Sequence, residues 1–142
     1  MIPFACAALA LPTFRAHRIA ETVLVVEDEA AICELAAEAL LGEGYRVLTA
    51  ADADEAEDIL ARESIDLLFT DIDLARNTNG IVLARRARRH QPGLPVVYTS
   101  GGRGHLSLAD AVAESVFVPK PYRLSHLVAL ANGFLRPNSH HA

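Results

Sequence analysis

Three short apolar runs in this chain end in charged residues. Thr22–Val26 runs into Glu27-Asp28-Glu29, Leu67–Thr70 into Asp71, and Val116–Val118 into Pro119-Lys120-Pro121. Runs of this length and character predict strands buried on both faces of a parallel sheet. Open α/β sheets bind ligands beyond the carboxyl ends of their strands. If the three strands are parallel neighbours, Glu27, Asp28, Asp71 and Lys120 converge on one rim. Carboxylates crowded together repel, and one of them would hold its proton unless a cation joined them. Such a group could bind a divalent metal through oxygen, and it could offer one carboxylate as a nucleophile. Each piece also has a plain structural role: Asp71 as an acid ending a strand, and Glu27–Glu29 as charges set against a helix dipole.

Lys120 is the only lysine in the chain, against twelve arginines. Where the protein needs a surface cation it uses Arg, but between Pro119 and Pro121 it does not. A compact ammonium on a flexible stem suits a phosphoryl oxygen in a tight pocket better than a planar fork does. Thr99 and Ser100 end another apolar run, Val96–Thr99, and bring hydroxyls towards the same rim. Arg85, Arg86, Arg88, Arg89 and His90 form a basic run that reads as a solvated helix face, with Ile81, Ala84 and Ala87 left for the core. The six histidines have no ligand spacing, and Cys6 and Cys33 are too few for a disulfide framework.

Elements able to position these groups follow in order. After the first strand, Ile32, Leu35, Ala36, Ala39 and Leu40 share a helical face, closed by Gly42 and Gly44. Tyr45–Ala50 is a strand, and Asp52 with Glu55 three residues on is a capping box for a helix to about Arg62. Asp66–Thr70 precedes a polar loop ending at Gly80, then a helix from about Ile81 to Arg89. Pro92-Gly93-Leu94-Pro95 breaks the chain before Val96–Thr99. Gly101, Gly102 and Gly104 restrict any following helix to a short one near Leu106–Glu114, before the strand Val116–Val118. Leu124, Leu127, Val128, Ala131, Phe134 and Leu135 form the last helical stripe. Strand and helix alternate over short connections, so both faces of a parallel sheet are covered.

At 142 residues with 51% hydrophobic and 22% charged residues, the chain predicts one soluble α/β domain. Its net charge of −5 argues against nucleic-acid binding. Ile2–Pro12 is apolar, but its basic residues follow rather than precede it. It is too short to span a bilayer, so no secretory signal or membrane segment is expected and the location is read as cytoplasmic. Residues 1–20 are taken as a flexible extension, 21–136 as the domain and 137–142 as a tail, with no output domain after it.

The ordered set of Glu27-Asp28, Asp71, Thr99-Ser100-Gly101 and Lys120-Pro121 resembles the receiver domain of two-component response regulators, over about residues 21–136. The resemblance implies a flavodoxin-like, doubly wound five-stranded sheet of order 2-1-3-4-5 with about five helices, the fourth short or mobile. It implies Asp71 as phosphoryl acceptor, with Mg²⁺ held directly by Asp28 and Asp71, through water by Glu27, and by the Asp73 backbone carbonyl. Lys120 would contact the phosphoryl oxygens after a cis Lys120–Pro121 bond. Ser100 would be the switch hydroxyl, with Thr99 facing away, and Phe117 the aromatic switch, although a core phenylalanine explains it equally. The partners implied are a sensor histidine kinase or histidine phosphotransfer protein and a downstream protein, with no membrane or nucleic acid, for a monomer or weak homodimer. Such a protein is a regulator that catalyses its own phosphorylation and dephosphorylation rather than an enzyme with a turnover substrate.

Departures accompany the match. The Asp71–Gly80 interval is one residue longer than usual and lacks the common proline, and the Ser100–Lys120 interval is short. Asp73 adds a carboxylate expected to slow or redirect dephosphorylation. Asp71-Ile72-Asp73 also imitates the nucleophile and acid of haloacid-dehalogenase-like phosphatases, though that motif belongs on a first strand and Ala75 stands where Thr or Val is usual. A degenerate receiver that only binds partners is the remaining alternative, and the filled acidic, hydroxyl and lysine positions argue against it.

Overall fold

All five apolar runs are strands and all pair in parallel. The computed structural model describes residues 20–74, 78–101 and 110–137. The elements are β1 (Thr22–Val26), α1 (Ala30–Gly42), β2 (Arg46–Ala50), α2 (Ala53–Arg62), β3 (Leu67–Asp71), α3 (Gly80–His90), β4 (Val96–Ser100), β5 (Ser115–Pro119) and α4 (Leu124–Leu135). Sheet order is β2-β1-β3-β4-β5, as the resemblance implied, with β3 central. Strand limits fall within one or two residues of those expected.

Residue parity divides the core. Leu24, Val26, Leu68, Val96 and Tyr98 face one side, under Ala56, Ile59 and Leu60 of α2 and Leu83, Ala84 and Ala87 of α3. Val23, Val25, Leu67, Phe69, Val97 and Val118 face the other, under Ala36 and Leu40 of α1 and Leu127 and Ala131 of α4. β1, β3 and β4 are buried along their whole length. This is why they read as unbroken apolar runs rather than alternating ones.

Helix ends obey the local signals. Asp52 accepts the Glu55 N–H at 2.8 Å, and Glu55 reaches back to the Ala51 N–H at 2.8 Å, one residue before the cap itself. At the end of α1, Gly44 (φ +94°) donates to Leu41 and Tyr45 to Leu40. This paired closure needs the left-handed conformation that glycine adopts at no steric cost.

Two expectations are corrected. Leu35 is 52% exposed rather than part of the buried face of α1. The arc that meets the sheet is centred on Ala36 and Leu40, which leaves Leu35 a full residue's rotation to the side. Of the short helix near Leu106–Glu114, residues 106–109 lie outside the described residues, and Asp110–Glu114 form turns. Non-helical partners take the backbone groups there. Tyr98 Oη accepts the Val112 N–H at 3.1 Å, Ser115 Oγ donates to the Val112 carbonyl at 2.8 Å, and Arg85 donates to the Asp110 carbonyl at 2.9 Å. The expected extension and tail also lie outside the described residues, apart from Ala20 and Pro137.

Candidate functional site

Parallel register brings the charged strand ends to one level. Val26 pairs with Thr70, Asp71 with Thr99, Thr99 with Val118, and Ser100 with Pro119. Glu27, just past β1, and Asp71, the last residue of β3, are therefore side by side, and Lys120 is one step beyond the end of β5. The three share the parity of Val25, Phe69 and Val118, so they lean to the α1 side. Ser100, two after Tyr98, comes in from the opposite side.

The Lys120 ammonium joins the acids. Its Nζ lies 2.9 Å from Asp71 Oδ2, 2.8 Å from Glu27 Oε1 and 3.8 Å from the exposed Glu29. Asp71 and Glu27 are 5% and 3% exposed. Burial pushes both carboxyl pKa values up, and the hydrogen bonds from Lys120 only partly offset it. Burial alone would lower the Lys120 pKa, but its bonds to Glu27 and Asp71 outweigh that and raise it. One cation facing two desolvated acids leaves an uncompensated negative charge. Beneath them, Tyr122 packs edge-on against Phe69 with ring centroids 5.5 Å apart, and burial lifts its phenol to about 12.

Backbone amides fix the remaining carboxylate oxygens. Asp73 N–H donates to Asp71 Oδ1 at 3.1 Å, and Glu29 N–H to Glu27 Oε2 at 3.1 Å. The plain capping role of Glu27–Glu29 is thus met in small part: Glu29 is the N-cap of α1, but its side chain makes no capping bond. Asp28 is exposed, and one oxygen each of Glu27, Asp28 and Asp71 lies within 4.8 Å of the others. Three hard oxygen donors around an unbalanced charge fit a small divalent cation such as Mg²⁺.

The other anticipated residues are also located. The Lys120–Pro121 bond is cis. Ser100 is 4% exposed and its hydroxyl donates to Asp73 Oδ2 at 3.1 Å. Thr99, fully buried, faces the opposite side. Phe117 is 38% exposed, so the alternative reading of it as a core phenylalanine is overturned. It sits on the edge strand, where β5 has β4 alone as a partner. The basic run is a surface, as expected: Arg86 pairs with Glu57 at 2.7 Å and Arg85 with Asp110 at 3.4 Å, over buried Ile81, Ala84 and Ala87.

One positioning residue was not singled out by the sequence. Gly80 opens α3 against the strand carrying Asp71. It donates to the Ile72 carbonyl at 2.8 Å, and a Cβ there would stand 2.1 Å from the Asp71 carbonyl oxygen. Asn79, whose Oδ1 accepts the Ile81 N–H at 2.6 Å, caps the same helix and pairs with Asp73. The only trace of this in sequence is a glycine at the end of a polar loop.

Comparison with known proteins agrees with the geometry. The family profile of the response regulator receiver domain matches residues 23–132. The chain belongs to the response regulator receiver family. The nitrogen assimilation regulatory protein NtrX of Azorhizobium caulinodans is 35% identical over 116 residues, which cover 79% of this chain and 25% of that protein. The probable transcriptional regulatory protein TcrX of Mycobacterium tuberculosis is 30% identical over 124 residues, 81% of this chain and 50% of that one. This receiver thus spans half or less of those two relatives. Among solved structures, a response regulator receiver protein from Sinorhizobium medicae superimposes with a TM-score of 0.77 at 28% identity, covering 81% of this chain and 94% of that one. The receiver domain of the hybrid histidine kinase CckA gives 0.70 at 32% identity, covering 81% and 99%. Asp71 ends β3, the third strand in chain order, and Asp73 follows it bonded to Ser100, whereas the phosphatase motif belongs on a first strand.

Proposed function

We propose that this receiver is a phosphorylation-dependent switch in which Asp71 takes a phosphoryl group from a sensor histidine kinase or a histidine phosphotransfer protein. The supporting observation is the Lys120 ammonium held at 2.9 Å from Asp71 and 2.8 Å from Glu27 at the strand ends. An Asp71 carboxylate oxygen bonds to phosphorus as the bond to the donor imidazole nitrogen breaks and that nitrogen keeps the electron pair. The Asp73 N–H orients the nucleophilic carboxylate, and Lys120 shifts from Asp71 to the transferred oxygens. Ser100 supplies a hydroxyl to the same group. Asp28 and Asp71 would hold Mg²⁺ directly, Glu27 through water, and Asp73 through its backbone carbonyl. When bound, the metal neutralises charge on the phosphoryl oxygens and relieves the repulsion between the acids.

Phe117, exposed on β5, is proposed to turn inward as Ser100 moves, which changes the face that contacts a downstream protein. Output is assigned to protein contact, by a monomer or weak homodimer in the cytoplasm. The net charge of −5 disfavours direct nucleic-acid binding by this domain. Among the described residues no helix is long and apolar enough to cross a membrane.

Intact-mass measurement after mixing with acetyl phosphate or phosphoramidate and Mg²⁺ tests the proposal. A single phosphoryl adduct that lasts minutes, maps to Asp71 and is absent in Asp71→Asn is expected. No adduct, or rapid turnover of a general phosphomonoester, would overturn it.

A further inference from the structure

We infer that Asp73 acts as a latch on Ser100, competing with the phosphoryl group for the serine hydroxyl and holding the receiver in its unphosphorylated arrangement. The inference rests on the phosphoryl-accepting role proposed for Asp71 and adds a regulatory residue to it.

Ser100 lies at the end of β4, 4% exposed, and its Oγ donates to Asp73 Oδ2 at 3.1 Å. A serine hydroxyl has a single proton to donate. While that proton points at Asp73 it cannot point at an oxygen on Asp71, so the two acceptors are alternatives. Two backbone constraints hold Asp73 in place. Its N–H donates to Asp71 Oδ1 at 3.1 Å, and its main chain pairs with Asn79, which precedes Gly80 at the start of α3. The Asp73 carboxylate is therefore delivered to Ser100 by the same loop that orients the acceptor.

Geometry also bounds the strength of the latch. Hydroxyl-to-carboxylate bonds at full strength are about 2.5–2.7 Å long. At 3.1 Å, with Asp73 exposed to water, this one is weaker and reversible. A closed state favoured only several-fold lowers apparent affinity for a phosphoryl group by that same factor. The effect on switching is thus a moderate bias rather than a block.

The test uses beryllofluoride with saturating Mg²⁺ as the phosphoryl mimic, on the full chain, with binding followed by NMR. Parent protein must first bind the mimic; failure there refutes the phosphoryl-accepting reading itself, and the latch with it. Given binding, Asp73→Ala is expected to lower the half-saturating concentration roughly three- to ten-fold. Asp73→Asn, which keeps an uncharged acceptor, should fall between the two. Removing a negative charge could raise anion affinity without any latch, so each variant is repeated with Ser100→Ala. The latch requires the Asp73→Ala gain to vanish in that background. In metal-free protein, Ser100 side-chain scalar couplings should report one rotamer in the parent and a changed rotamer distribution in Asp73→Ala. A gain that persists without the Ser100 hydroxyl, no gain at all, or averaged couplings in the parent overturns the inference.

Discussion

Gly80→Ala is the substitution whose effect the structure constrains most tightly. A methyl there would lie 2.1 Å from the Asp71 carbonyl oxygen. It would also lie 3.0 Å from the Asp71 carbonyl carbon and the Ile72 Cα, and all three contacts are backbone. Non-bonded heavy atoms need about 3.5 Å, so α3 or the end of β3 must move by more than 1 Å. Gly80 is not at positive φ, so the cost is steric rather than conformational. Overpacking of this kind costs about 1–3 kcal/mol, against which the better helix propensity of alanine returns up to about 1 kcal/mol. The net loss of about 1–2 kcal/mol should lower Tm by roughly 5–10 °C. The displaced element is the one that carries Asp71, and a 1 Å error at a reacting group can cost about 100-fold in rate. Phosphoryl uptake from acetyl phosphate, followed by intact mass, should slow by about that factor. Gly42→Ala is the control: nothing lies within 4 Å of its added methyl, and it should be neutral or stabilising. Parent-like Tm and parent-like uptake in Gly80→Ala would refute the reasoning.

Three further substitutions probe the same neighbourhood. Asp71→Asn should raise Tm at neutral pH without divalent metal, because it removes a buried carboxylate whose pKa burial pushes up. Burial raises the Asp71 pKa above its unfolded value, so its stability contribution is complete below the ordinary carboxylate range and is lost as pH rises through the raised value. The gain should therefore shrink towards pH 4, and a lower Tm at pH 7 would count against the crowded-acid account. Lys120→Arg keeps the charge but must fit a planar fork where Nζ is held between two acids at 2.8 and 2.9 Å, so phosphoryl-dependent changes at Ser100 should be lost. A normal NMR response to beryllofluoride in that variant would sink this prediction. Tyr98→Phe removes the acceptor of the Val112 N–H and should cost about 1 kcal/mol, with faster hydrogen exchange confined to residues 110–115. Unchanged exchange there would show that the hydroxyl does not hold the segment.

Much of this receiver was legible in the chain because the relevant signals are local. β1, β3 and β4 are apolar throughout since a parallel sheet covered on both faces exposes none of their side chains. Asp52 with Glu55, and Gly44 after α1, mark helix ends because the partners lie within a few residues. The charged residues beyond the strands are likewise visible one segment at a time, and Lys120 stands out by being alone of its kind. What the sequence by itself determined is therefore which elements form and which chemical groups stand at their ends.

Tertiary structure decided which of those groups meet. Glu27, Asp71 and Lys120 come from strands far apart in the chain, and their contact depends on the register of four adjacent parallel strands. A slip of one residue would send each side chain to the opposite face. Leu35 and Phe117 are apolar yet exposed, because burial depends on where a helix or an edge strand finds a partner rather than on residue type. Asp110–Glu114 turn instead of coiling because Tyr98 and Arg85, distant in sequence, take their backbone groups. The Asp73–Ser100 bond needs β4 paired beside β3, and the close approach of Gly80 to Asp71 needs α3 docked on β3, so that separations of 27 and 9 residues along the chain become contacts in space.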